Sequence, residues 1–122
     1  MPADARVSFG KRGEDLACCE LERRGYRILE RRYRTRAGEI DIVASDGDAI
    51  VFVEVKARSS DRFGSALEAV TRWKQRRICH MAVDYLARRR PSTRPCRFDV
   101  VAVGPDAAGT LVVQVIQGAF GA

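Results

Sequence analysis

The stretch Gly38-Glu39-Ile40-Asp41-Ile42-Val43-Ala44-Ser45-Asp46-Gly47-Asp48-Ala49-Ile50-Val51-Phe52-Val53-Glu54-Val55-Lys56 reads as two strands rich in β-branched residues, joined at an Asp-Gly turn. That is the signature of a hairpin. A loop of two residues (Asp46, Gly47) or of four (Ser45 to Asp48) gives one register, pairing Ala44 with Ala49, Ile42 with Val51 and Ile40 with Val53. Side chains alternate along a strand, so Ile40, Ile42, Ala44, Val51, Val53 and Val55 fall on one apolar face that belongs against a core. The other face carries Val43, Ile50 and Phe52 near the turn, and Glu39, Asp41, Glu54 and Lys56 at the open end.

Carboxylates on a half-apolar face of a central hairpin are costly to desolvate without a partner. A divalent cation is one such partner. In the expected register Asp41 and Glu54 are about two residues out of step, roughly 7 Å along the strand, so both can reach one ion. Lys56 returns to the same face and can approach whatever the ion holds. The competing reading is a solvated Glu54–Lys56 pair with Asp41 at a rim.

A chain of 122 residues is one domain, large enough to bury a core without disulfide or metal staples. Its 22 Lys and Arg against 16 Asp and Glu give a charge of +6, which favours a polyanionic partner or marks a small domain that is merely basic. Cys18, Cys19, Cys79 and Cys96 lack Cys-x-x-Cys spacing, and with one histidine in the chain they read as reduced, mostly buried thiols. No apolar run of signal or membrane-spanning length is present, so no membrane association and a cytoplasmic location are expected.

Residues 1–11 read as a loose N-terminal arm, residues 12–118 as the single domain and residues 119–122 as a C-terminal tail. From Arg12 the pattern is helical, with Ala17, Cys18 and Leu21 on one stripe and Gly25 as a terminating glycine. Glu14 starts this stripe, either as a first-turn residue favouring the helix dipole or as a further metal carboxylate. Tyr26 to Tyr33 reads as a strand. Arg27, Arg31, Arg32, Arg34 and Arg36 make its surroundings basic, either as a charged edge or, at Arg34 and Arg36, as phosphate contacts.

After the hairpin, Ala57 to Gly64 reads as a mobile loop, and Ser65 with Glu68 has capping-box spacing. A helix then extends to about Arg89, its apolar stripe including Val70, Trp73, Ile78, Met81, Ala82, Tyr85 and Leu86. Lys74 is a candidate phosphate contact on it, and His80 reads as structural. A linker over Pro91 to Pro95 leads to a strand over Arg97 to Val103 and a last strand over Leu111 to Gln117. The expected order is helix, three strands, helix, two strands. That makes an α/β fold with a mixed sheet of about five strands flanked by two helices.

Gly13-Glu14 with Ala17, Gly25-Tyr26, Gly38-Glu39-Ile40-Asp41, Val51 to Lys56, Glu68-Ala69-Val70 with Lys74, and Arg97-Phe98-Asp99-Val100-Val101 together resemble the YraN-type family of small bacterial proteins. That family is similar to the PD-(D/E)xK nuclease superfamily and, in layout, to Holliday-junction resolvases. The resemblance implies a restriction-endonuclease-like fold. It implies Asp41 and Glu54 as the acidic pair, Lys56 as the catalytic lysine, and Glu14 as a helix-borne acid. Ile40 stands where the namesake pattern has proline.

The implied activity is metal-dependent endonuclease cleavage of DNA phosphodiesters, with branched or junction structures as the substrates that the likeness to resolvases implies. Mg²⁺, with Mn²⁺ able to substitute, would be held by Asp41, Glu54, Glu14 and the Val55 carbonyl. Arg34, Arg36, Arg58 and Lys74 would serve as nucleic-acid contacts. A homodimer follows by analogy with resolvases, with the C-terminal strand and Phe120 as a candidate interface. The competing reading is a non-catalytic nucleic-acid-binding module that retains the fold.

Overall fold

The computed structural model describes residues 3–57, 69–89 and 93–121. Its elements are α1 (Ala3–Arg23), β1 (Arg27–Thr35), β2 (Gly38–Asp46), β3 (Ala49–Ala57), α2 (Arg72–Arg88), β4 (Cys96–Pro105) and β5 (Leu111–Phe120). The strands form one five-stranded sheet in chain order. β1, β2 and β3 run antiparallel, β4 is parallel to β3, and β5 is antiparallel to β4. The crossover through α2 is what permits the one parallel pair. This αβββαββ mixed sheet is the expected α/β class and is consistent with a restriction-endonuclease-like layout.

Both faces of the sheet are covered. Ile42, Ala44, Val51, Val53, Val101 and Val103 pack under α1 against Ala17, Cys18 and Leu21. Val43, Ile50, Phe52, Phe98 and Val100 pack under α2 against Ile78, Met81, Ala82 and Tyr85. Burying one such side chain contributes about 1.5–3 kcal/mol, so these two layers hold the central strands rigidly. Phe120 stacks on Phe98 with centroids 5.1 Å apart, so the residue offered as a dimer contact packs on its own core.

Several boundaries differ from the sequence reading. α1 begins at Ala3 rather than Arg12, so the expected arm is helical over residues 3–11 and Glu14 sits well inside the helix, not in its first turn. α1 ends as expected: Tyr26 N–H donates to Leu21 O, Gly25 N–H donates to Glu22 O, and Gly25 has φ +94°. This is a Schellman closure, which favours glycine at that position.

α2 starts at Arg72 behind the N-cap Thr71, whose hydroxyl accepts from Lys74 N–H. The proposed cap Ser65 with Glu68, and the loop from residue 58 to residue 64, lie outside the described residues. Trp73, placed by its spacing on the apolar stripe, is instead exposed. Only Cys18 of the four thiols is buried, while Cys19 and Cys96 are exposed.

The hairpin register is shifted. Asp46 pairs with Ala49, Ala44 with Val51 and Ile42 with Val53, so Gly47 and Asp48 form the turn. The shift is by two residues, which conserves parity and therefore the faces near the turn. Parity fails at Ile40, which packs with the α2-side cluster while Ile42 packs with the α1-side one. At the same level on the neighbouring strand Arg32, between the pairs Arg31–Ile42 and Tyr33–Ile40, has φ +55°. A non-glycine residue in the left-handed region turns the strand over locally, and Asp41 sits at that break.

Candidate functional site

The break places Asp41 where the sheet forks. β2 and β3 pair only as far as Ile42 and Val53, after which β2 continues beside β1 and β3 beside β4. One step beyond the last pair, Asp41 stands opposite Glu54, closer than the two-residue offset expected from sequence. The Val55 N–H donates to Asp41 Oδ2 at 2.8 Å, so the side chain takes a donor at the fork. A pocket of about 450 Å³ opens here, its walls including Gly13, Glu14, Arg32, Asp41, Val55 and Lys56.

Charge in this pocket is unevenly matched. Asp41 is pushed up to about 7, first by desolvation and then by the negative charge of Glu54. The Val55 N–H pulls the other way, and Glu14 adds a smaller upward push. Two carboxylates that close cannot both ionise cheaply. Glu54 is not free to relieve Asp41, because it also holds Lys56, with Oε1 and Nζ 3.1 Å apart.

Burial pulls Lys56 down, yet the Glu54 charge and hydrogen bond, with the Asp41 charge, leave it raised. Lys74 lies beside it and is lowered, chiefly by that contact. Two ammoniums thus converge on one spot. They do so at the first turn of α2, which carries no acidic residue and where cations oppose the helix dipole.

Glu14 is used differently from the expectation. It is buried, and Arg31 and Arg32 both bind it, at 2.9 Å and 3.2 Å, with Asp15 also on Arg31. Two of the five basic-strand arginines therefore serve a carboxylate on α1. Among the described residues no group of three His, Cys, Asp or Glu side chains gathers to hold an ion. Mg²⁺ commonly takes one or two protein carboxylates and completes its octahedron with water and phosphate oxygens. The Asp41–Glu54 pair fits that demand, and Glu14 in its present pairing does not add to it.

Of the expected phosphate contacts, Lys74 is at the site. Arg34 lines the pocket but is paired with Glu39 at 3.0 Å. Arg36 is exposed and borders, with Arg34, the neighbouring grooves that lead along the β1–β2 turn to Arg88 and Arg89. Arg58 lies outside the described residues. His80 is exposed on α2, bordering the same groove as Arg36.

A second polar cluster was not foreseen from sequence. At the far end of the sheet the fully buried Asp99 accepts from Tyr26 OH at 2.9 Å, from Arg97 Nε at 2.9 Å and from Gly118 N–H at 3.0 Å. Arg97 also reaches Asp46 at 2.9 Å, and Gln117 donates to Tyr26 OH at 2.8 Å. An aspartate two residues from an arginine at the start of an apolar strand was the available signal.

A family model described as "Uncharacterised protein family UPF0102" matches residues 13–103. The chain is 50% identical over 111 residues to a UPF0102 protein of Symbiobacterium thermophilum, covering 91% of this chain and 94% of that one. It is 50% identical over 111 residues to a UPF0102 protein of Syntrophus aciditrophicus, covering 91% and 87%. A UPF0102 protein of Frankia casuarinae is 43% identical over 116 residues, covering 95% and 98%.

Proposed function

The chain belongs to the UPF0102 family, and we propose that it is a metal-dependent endonuclease that hydrolyses DNA phosphodiesters at the fork between β2 and β3. The observation that carries this reading is the Asp41–Glu54 pair, with Asp41 held up by burial and then by its neighbour, beside the converging Lys56 and Lys74. Glu54 and Lys56 pair with each other, while among the described residues Asp41 makes no ion pair with a cation and Lys74 none with an anion. A divalent ion with a phosphodiester supplies both. The Glu54 pair accounts for Lys56 structurally, but no acidic residue in the first turn of α2 accounts for Lys74 beside it.

Asp41 and Glu54, with the Val55 carbonyl, would hold Mg²⁺ or Mn²⁺. The bound ion lowers the pKa of its water and offsets charge on the phosphoryl oxygens. The chain's own groups do the rest. The Val55 N–H fixes the Asp41 carboxylate. Glu54 holds the Lys56 ammonium at the pocket. Lys56 and Lys74 would stabilise the negative charge that grows on the phosphoryl oxygens as water attacks and the P–O bond breaks. Arg36 and the groove beside it offer the strand a basic path away from the centre. A cytoplasmic location agrees with this substrate, and among the described residues no helix is long and apolar enough to cross a membrane.

One observation favours the non-catalytic alternative: Glu14 is neutralised by two arginines instead of joining the pair. Incubation of the protein with labelled linear, flapped and four-way-junction DNA, with Mg²⁺, Mn²⁺ or chelator, separates the two. Metal-dependent cutting is expected, abolished by Asp41→Asn and slowed about 10²–10³-fold by Lys56→Ala, the cost of losing one charge-stabilising donor. Binding of every substrate with cutting of none would transfer the function to the binding module.

A further inference from the structure

Next to this site α2 displays a pair of side chains that hydrolysis does not use. Trp73 is the chain's one tryptophan and is 58% exposed. Arg77, one turn later, lays its guanidinium over the ring, with Cζ 4.6 Å from the centroid. No carboxylate pairs with Arg77 among the described residues. On its other side the guanidinium lies against the backbone of Gly38, where a Cβ would overlap Nη2, and Gly38 has φ +139°.

The arginine is therefore fixed between an indole and a strand end, three residues before Asp41 on β2. It borders the basic depression shared with Arg34 and Arg36. Lys74, the residue after Trp73, touches Lys56 in the pocket.

We propose that Trp73 and Arg77 clamp one unpaired nucleotide of a single-stranded nucleic acid, the base on the indole and its phosphate on the guanidinium, delivering the strand to the fork. This rests on the phosphodiester reading of the fork. The chemistry selects a single strand. A base inside a duplex has both faces covered by its neighbours, while an unstacked base offers a face to an aromatic side chain. Every base has such a face, so the clamp is indifferent to sequence. The guanidinium is pre-positioned, so little side-chain freedom is lost on binding.

The single tryptophan makes the test direct. The whole chain, in chelator so that nothing turns over, is titrated with oligothymidylate and with a blunt-ended duplex of equal length. Indole emission is followed alongside the anisotropy of labelled DNA. The single strand is expected to quench the indole and the duplex to bind without quenching. Trp73→Ala should weaken single-strand binding roughly 5- to 150-fold, the strength of one base–aromatic stack, leave duplex binding unchanged, and be rescued by Trp73→Phe. The exposed position keeps these variants folded, which circular dichroism verifies. If both DNAs bind with unmoved emission, or Trp73→Ala weakens both equally, the clamp is overturned and the phosphodiester site stands. If neither DNA binds, both fall.

Discussion

Asp41 and Asp99 each sit at a break in the strand ladder, and each accepts a backbone N–H there, yet their surroundings are opposite. Asp99 faces the β5 irregularity at Gly118, with φ +59°, and takes its N–H. Asp41 faces the Arg32 irregularity and takes the N–H of Val55. Around Asp99 the remaining neighbours are donors: a phenol and a guanidinium. Around Asp41 the neighbours include two more carboxylates, Glu54 and Glu14, whose own cations, Lys56 and Arg31 with Arg32, are already engaged. The same backbone device yields a satisfied structural anchor at one end of the sheet and, at the other, an aspartate that among the described residues has no ion pair of its own. Buried charge is tolerated when fully paired; where pairing is withheld, the position is a candidate for function.

The largest expected effect breaks the anchor. Asp99→Ala leaves Arg97, Tyr26 and Gly118 without their acceptor. It should cost about 3 kcal/mol in denaturant unfolding, the lower end for a broken buried pair because Arg97 is partly exposed and keeps Asp46. A cost under about 1 kcal/mol, within the range of an ordinary surface change, would erase the contrast with Asp41.

How far the sequence disclosed these two ends follows from what local pattern can encode. The hairpin, the faces near its turn and the αβββαββ order were legible, because alternation of Val and Ile with a turn signal depends only on near neighbours. The register was not, since Ser45 to Asp48 accommodates a turn at either Asp46-Gly47 or Gly47-Asp48. Nor was the inversion at Ile40, which lies level with the left-handed Arg32 of another strand.

Asp41, Glu54 and Lys56 were legible as a candidate set, and Lys74 as a separate phosphate contact; the fold brings the four side by side. Glu14 was legible as a core-facing acid, but its capture by Arg31 and Arg32 depends on how β1 packs beneath α1. Trp73 shows the limit of periodicity: its spacing matches the apolar stripe, but helix α2 begins at Arg72, so its first turn extends beyond the sheet's cover. The Tyr26–Asp99–Arg97 network joins residues 73 apart in sequence, beyond any local pattern.

The smallest effect sharpens the basic path rather than the site. Arg36 is exposed, with no pairing seen among the described residues. Arg36→Ala should leave stability within about 0.5 kcal/mol and reduce the salt slope of duplex binding by about 0.9, one phosphate contact. A slope identical to wild type would remove Arg36 from the path.

The most direct test of Asp41 as a carboxylate awaiting a cation is thermal unfolding of wild type and Asp41→Asn at pH 5 and pH 8, with and without Mg²⁺. The folded-state value of Asp41, about 7, lies above its ordinary 3.8. The folded chain therefore binds more protons than the unfolded chain between those values, and this group's contribution to stability falls as pH rises through that window. Without metal, wild type should lose stability relative to Asp41→Asn between pH 5 and pH 8. Mg²⁺ at pH 8 should restore the wild type and leave the variant unmoved. Parallel melting of the two proteins at both pH values, with Mg²⁺ shifting both alike or neither, would contradict a carboxylate pair built to take a cation.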